Sequence, residues 1–274
     1  MASTGEEISD ILDDQDAPIL VGRPSVGCAV VTLNRPGQRN AMTFDMWHEL
    51  ADIYDQFSED DQLRSIVLTG AGGYFCAGAD IKEFGTVRAT AEGAKEYARR
   101  VDRCTEAIAE CPKATFAAVS GPAYGGGCGL AVACDFRIAD ATAVFAIPAA
   151  RLSIVYGIEE TRALYEAVGL TAAKDMLFSG RPRDAQAALA MGLVSEVSED
   201  DALTAALRRA EALEASAPLS IAGTKLVLEA LTKGETAERA ERIAEATLRA
   251  VNSEDYIEGR SAFIEKRAPR FRGH

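Results

Sequence analysis

Two glycine-dense segments hold the residues best suited to chemistry. The first reads Tyr74-Phe75-Cys76-Ala77-Gly78-Ala79-Asp80-Ile81-Lys82-Glu83-Phe84, and the second Ser120-Gly121-Pro122-Ala123-Tyr124-Gly125-Gly126-Gly127-Cys128-Gly129-Leu130. Each follows an apolar run that reads as a buried strand, Ser65-Ile66-Val67-Leu68-Thr69 for the first and Thr115 to Ser120 for the second. The second also opens a helix. Loops so poor in side chains can aim free backbone N–H groups into a cavity, and a helix N-terminus adds its dipole. Two such donors converging on one point make an oxyanion hole, which stabilises negative charge developing on a thioester or ester oxygen. Either loop alone reads as a tight turn; the two together, at this spacing, point to a site.

Other chemistries lack their residues. Phe75 and Leu130 stand where a dinucleotide-binding loop needs its third glycine, and neither a Gly-Lys-Ser/Thr phosphate loop nor a G-x-S-x-G elbow occurs. His48 sits beside Trp47 in the first expected helix, and His274 is the last residue, so neither is placed as a catalytic base. The six cysteines include no C-x-x-C pair and no zinc-like histidine spacing; they read as buried thiols, and no metal is expected. Forty-two acidic residues against 29 basic ones leave the 274-residue chain at a net charge of -13, which argues against a nucleic-acid partner. At 48% hydrophobic and 26% charged residues the composition is that of a soluble globular protein. Met1 to Asp16 has neither the basic region nor the apolar run of a secretory signal, and no stretch approaches the roughly 20 apolar residues of a membrane span. A cytoplasmic protein without a membrane partner is expected.

The elements that must position the loops alternate between strand and helix. Ile19-Leu20-Val21 and Cys28-Ala29-Val30-Val31 read as a hairpin, and Thr43 as the N-cap of a helix running to about Phe57. Gly70 to about Val87 reads as a long loop, and residues 91–111 as a second helix. From Thr171 onward the pattern is helical, near 171–179, 184–191, 199–216, 219–232 and 235–252, with Leu193 to Val197 as a last strand. This is an α/β arrangement. It divides into an acidic tail over 1–16, a core over 17–198 and a helical region over 199–274.

Leu33-Asn34-Arg35-Pro36 with Asn40-Ala41-Met42, then the Ala77 to Lys82 loop, then Gly125-Gly126-Gly127-Cys128, and finally Ser261 to Arg267, resemble the enoyl-CoA hydratase/isomerase (crotonase) superfamily. The resemblance spans about residues 18 to 272. It implies a crotonase-like spiral of strand–strand–helix units with a C-terminal helical trimerisation region, in homotrimers often paired into hexamers. It also implies an acyl-CoA substrate, with coenzyme A entering as part of the thioester rather than as a prosthetic group. The oxyanion donors would be the N–H groups of Ala79 and Gly126. The coenzyme would pass Ala77, Asp80, Ile81 and Lys82, with Arg39 near its phosphates, and Phe263 and Lys266 would close over it, commonly from a neighbouring subunit.

One departure bears on the reaction. The resemblance places two hydratase glutamates where this chain has Gly129 and Ala149. Neither can transfer a proton, so neither hydration by the family mechanism nor the family's simple single-glutamate isomerisation is expected. Replacement groups are available in Ser153 to Arg162, namely Tyr156, Glu159 and Glu160. Tyr156 can orient a substrate carboxylate, donate to an enolate or simply wall the acyl pocket. Either glutamate can act as a base if burial raises its pKa, although acidic residues in a first helical turn ordinarily complement the dipole. Asp80 and Glu83 read as braces of the loop, and Cys128 as a packing residue. The expectation is therefore an enzyme that stabilises a thioester enolate or oxyanion, for decarboxylation, isomerisation, carbon–carbon cleavage or thioester hydrolysis. The alternative is a catalytically inactive acyl-CoA-binding scaffold or regulatory paralogue.

Overall fold

The computed structural model describes residues 15–274, so all but the last two residues of the acidic opening lie outside the described residues. Strands β1 (Ile19–Ser25) and β2 (Cys28–Leu33) form the expected antiparallel hairpin. From β2 the main sheet continues in parallel through β3 (Ser65–Gly70), β4 (Ala114–Val119), β6 (Phe136–Asp140) and β9 (Glu196–Ser198). A smaller sheet joins β5 (Pro122–Tyr124), β7 (Val144–Ala146) and β8 (Arg183–Asp184).

A continuous apolar strand is a strand covered on both faces, and β4 shows it. Ala117 and Val119 enter the larger core with Trp47, Tyr54 and Phe75, while Ala114, Phe116 and Ala118 enter a second core. Helices α1 (Phe44–Glu59), α2 (Ala91–Glu110) and α3 (Gly126–Ala133) contribute to the first. Thr43 caps α1 through the Met46 N–H, and Thr90 caps α2 through the Gly93 N–H. Because β3 and β4 are adjacent and parallel, their carboxyl ends lie side by side. The two glycine loops therefore leave the sheet at one edge, where α/β proteins build their sites.

Helix α4 (Ile158–Ser179) is broken at Gly169, whose φ of 75° is outside the helical range. The helix expected near 171–179 is its second half; the first half reaches back to the site. Then come α5 (Ala185–Ala190), α6 (Ala202–Glu214), α7 (Pro218–Lys233), α8 (Ala240–Val251) and α9 (Glu254–Glu265). The alanine face of α6 (Ala202, Ala205, Ala206, Ala210) covers the second core.

Two expectations are corrected. The last strand begins at Glu196, not Leu193, because the N–H groups of Leu193 and Val194 both bond to the Ala188 carbonyl at the end of α5. These residues are buried by a helix end rather than by a strand ladder. The segment from Gly70 to Val87 is not all loop: Asp80 accepts the Lys82 N–H and starts a tight turn, Ile81–Glu83, which runs into a helical turn, Phe84–Val87.

Candidate active site

The two loops are stitched together by backbone hydrogen bonds. Cys76 N–H donates to the Pro122 carbonyl at 3.0 Å, and Tyr124 N–H to the Cys76 carbonyl at 2.9 Å. On the other side, Met42 N–H donates to the Gly78 carbonyl and Asp80 N–H to the Met42 carbonyl, both at 2.8 Å. This parallel bridge uses the neighbours of Ala79 and leaves the Ala79 N–H itself unspent. Gly126 is the first residue of α3, so its N–H has no partner within the helix.

Close approach makes glycine necessary at two places. A Cβ on Gly78, where φ is +88°, would lie 2.5 Å from the Tyr124 carbonyl oxygen and 3.1 Å from the Gly126 nitrogen. A Cβ on Gly126 would lie 2.9 Å from Trp47 Cη2 and 3.8 Å from the Ala79 nitrogen. The nitrogens of Ala79 and Gly126 thus face one small space, as an oxyanion hole requires.

That space opens into a cavity of about 370 Å³, walled by Trp47, Phe84, Tyr97, Val101, Tyr156 and Glu160 among others. Three charged side chains line it: Arg88, Asp102 and Glu160. Glu160, in the first turn of α4, is only 9% exposed. Burial, and then the charge of Asp102, push its pKa up to about 7 against the pull of a hydrogen bond from the Gly157 backbone. A Cβ on Gly129 would lie 2.8 Å from Glu160 Oε1, so the carboxyl fills the space beside that glycine. Asp102, on α2, converges from the opposite direction. A Cβ on Gly157 would lie 3.2 Å from Asp102 Oδ1 and 3.6 Å from Glu160 Oε2. Burial and the charge of Glu159 raise the pKa of Asp102 as well. The Tyr156 hydroxyl is buried with no hydrogen-bond partner, and burial beside Glu160 keeps it protonated.

The structure separates the sequence candidates. Ala77, Ala79, Ile81, Gly126, Tyr156 and Glu160 line the cavity. Glu159, one residue from Glu160, instead pairs with Arg162 and lies outside the lining. Asp80 is bound by both terminal nitrogens of Arg35 at 3.1 Å, and Glu83 accepts the Phe44 N–H at 2.7 Å, so both brace the loop. Lys82 is exposed beside the mouth, and the Arg39 guanidinium lies 5.9 Å from the Tyr74 ring centroid. Phe263 and Lys266 are at the end of α9, and Phe263 lines a different cavity. Cys128 is fully buried, with its thiol pushed up to about 12, as suits a packing residue. Sequence reasoning missed Asp102 and Arg88. Asp102 follows Val101 in a helix of many charges, and nothing local marks it as facing a cavity.

Comparison with known proteins identifies the family. The sequence model for enoyl-CoA hydratase/isomerase matches residues 23–274. A probable enoyl-CoA hydratase of Bacillus subtilis (strain 168) is 36% identical over 253 residues, covering 89% of this chain and 95% of the relative. The mitochondrial methylglutaconyl-CoA hydratase of Mus musculus is 33% identical, over 90% of this chain and 80% of its own. The crystal structure of an enoyl-CoA hydratase/carnithine racemase from Magnetospirillum magneticum superposes with a TM-score of 0.87 at 35% identity, covering 94% of this chain and 96% of that one. With the family model matching residues 23–274, both site loops included, the chain belongs to the enoyl-CoA hydratase/isomerase family, whose members act on CoA thioesters.

Proposed function

We propose that the protein moves a proton on the acyl chain of a CoA thioester, with Glu160 as the acid/base, and that double-bond migration is its reaction. One observation carries the reading: the Glu160 carboxyl occupies the space beside Gly129, where the family resemblance places a hydratase glutamate. A carboxyl supplied from α4 thus replaces one supplied from α3. Its pKa near 7 suits a group that must both take and return a proton at neutral pH.

In this reading the thioester oxygen accepts from the N–H groups of Ala79 and Gly126. Ionised Glu160 removes a proton from the α-carbon of a 3-enoyl thioester, and the electron pair moves onto the thioester oxygen as a dienolate held by the two N–H groups. The Glu160 carboxylic acid, which can exchange its proton with solvent, then protonates the γ-carbon, leaving the 2-enoyl thioester. The methyl group of Ala149, at the second expected glutamate position, adds no group to activate water.

A second reading has its own support. Asp102 and Glu160 together supply two carboxyls, and the relatives named above are hydratases by name. Hydration through this pair would need Asp102 to exchange protons itself. Incubation with 3-hexenoyl-CoA and with crotonyl-CoA in deuterium oxide, followed by mass spectrometry, separates the two. Isomerisation with deuterium uptake and no 3-hydroxyacyl product supports proton shuttling. Efficient hydration of crotonyl-CoA overturns it, and no turnover of either supports the inactive scaffold. Phe263, 86% exposed, and Lys266 fit a closing role at a neighbouring subunit's site, which a trimer would supply.

A further inference from the structure

We propose that Arg88 makes this cavity selective for acyl-CoA thioesters whose acyl chain ends in a carboxylate. The inference rests on the acyl-CoA reading above and adds the substrate class. Arg88 is the one cation among the described residues lining the cavity, in a protein whose net charge is -13. No carboxylate of the described residues lies within ion-pair distance of it, and its guanidinium makes no side-chain hydrogen bond; its partners are rings. The guanidinium carbon is 4.6 Å from the Phe84 ring centroid and 5.2 Å from that of Tyr97. These faces orient the charge without neutralising it.

Nearby arginines are different. Arg35 is bound to Asp80, Arg100 reaches Asp45 and Glu96, and Arg103 reaches Asp52 and Asp55. Only Arg88 of this group both faces the cavity and keeps its hydrogen-bonding capacity free.

Its position places the selectivity on the acyl side. Trp47 packs against Gly126 of the oxyanion hole, its indole Nε1 donates to the Tyr97 hydroxyl at 2.9 Å, and Arg88 lies over the Tyr97 ring. Two aromatic side chains therefore connect the thioester end to the guanidinium. An apolar tail filling this space would strip water from an unpaired charge and return nothing for it. A terminal carboxylate would accept two parallel N–H bonds in the geometry a guanidinium favours. An arginine that merely rests its stem on rings, with its head in water, would show no such preference.

The test is calorimetric titration of saturated, unreactive thioesters matched in length: glutaryl-CoA against pentanoyl-CoA, and adipoyl-CoA against hexanoyl-CoA, with free CoA alongside. We expect the wild type to bind at least one acidic thioester about tenfold more tightly than its neutral match, the scale of one charged hydrogen-bonded pair. In Arg88→Met that advantage falls to within about twofold, while Arg88→Lys retains part of it and reports that the site is still formed. Neutral thioesters binding as well as acidic ones to the wild type would overturn the inference and leave the acyl-CoA reading intact. An equal loss for CoA and every thioester in Arg88→Met would assign Arg88 to the coenzyme instead and overturn it too. Failure of every thioester to bind would overturn both.

Discussion

The loop side and the helical side of the cavity treat charge in opposite ways. On the loop side each acidic group has a partner: Asp80 has Arg35, and Glu83 has the Phe44 N–H. The Ala79 and Gly126 N–H groups there take their positions from hydrogen-bonded bridges between segments. On the helical side Glu160 and Asp102 approach each other across Gly157 with no arginine or lysine between them, and Tyr156 keeps a buried hydroxyl without a partner. Burial and the charge of Asp102 hold the Glu160 carboxyl at about 7, where it can take up and release a proton at neutral pH. The difference teaches that one side is built for rigidity and the other for reactivity.

The sharpest break in this contrast is Glu160→Gln. It keeps the shape of the side chain and removes the proton acceptor, so turnover should fall by roughly 10²–10⁴-fold in a 3-enoyl-CoA assay. Glu159→Gln, changed one residue away, should stay within about twofold, since Glu159 faces Arg162. Stability should respond the other way. The folded protein holds Glu160 neutral up to about 7, whereas the unfolded carboxyl ionises near 4.5. The stabilisation this gives is complete below about 4.5 and is lost as pH rises to about 7. Urea midpoints measured between those values should therefore fall less with rising pH in Glu160→Gln than in the wild type.

Next in size is Gly78→Ala on the loop side. Its Cβ would sit 2.5 Å from the Tyr124 carbonyl oxygen at a φ of +88°. We expect about 1–3 kcal/mol lost in thermal unfolding, and a drop in turnover of about 10²-fold as the Gly126 N–H is displaced. A stable variant with full activity would show that the loops yield to the added methyl group.

Asp102→Asn is subtler and tests the reactive side. Removing its charge eases ionisation of Glu160, so the acidic limb of the pH–rate profile should move to lower pH. Turnover above pH 8 should change less than about threefold, because Glu160 is ionised there in either protein. A large loss at all pH values would instead support the two-carboxyl hydration reading. The smallest effect is expected from Tyr156→Phe, which deletes a hydroxyl that has no partner to lose. Its thermal stability should be unchanged or up by about 1 kcal/mol, and a turnover loss beyond about tenfold would assign the hydroxyl a direct role in proton transfer.

How much of this was legible depended on whether the signal was local. The hairpin, the Thr43-capped helix and the strands entering both glycine loops are written in runs of adjacent residues, and the structure has them where expected. The family itself was legible for the same reason, since its loop motifs are contiguous. The last strand was displaced because Leu193 and Val194 look like strand residues but are buried by the end of α5. Short strands such as β5 and β7 have three residues each, too few for an alternation to show.

For the site, the chain alone marked the two glycine loops, because their motifs are contiguous and follow neighbouring strands, and the family resemblance pointed to the Ala79 and Gly126 N–H groups within them. It named Glu159 and Glu160 together and did not choose. A helix turns by about 100° per residue, so two identical side chains next to each other face different surroundings, and only packing against α2 and α3 decides which is buried. Asp102 and Arg88 entered the site in the same way, from elements whose sequence says little about which neighbour they will meet. Backbone geometry travels with local sequence; the electrostatic environment that tunes a carboxyl is summed over distant segments, and the tertiary structure assembled it.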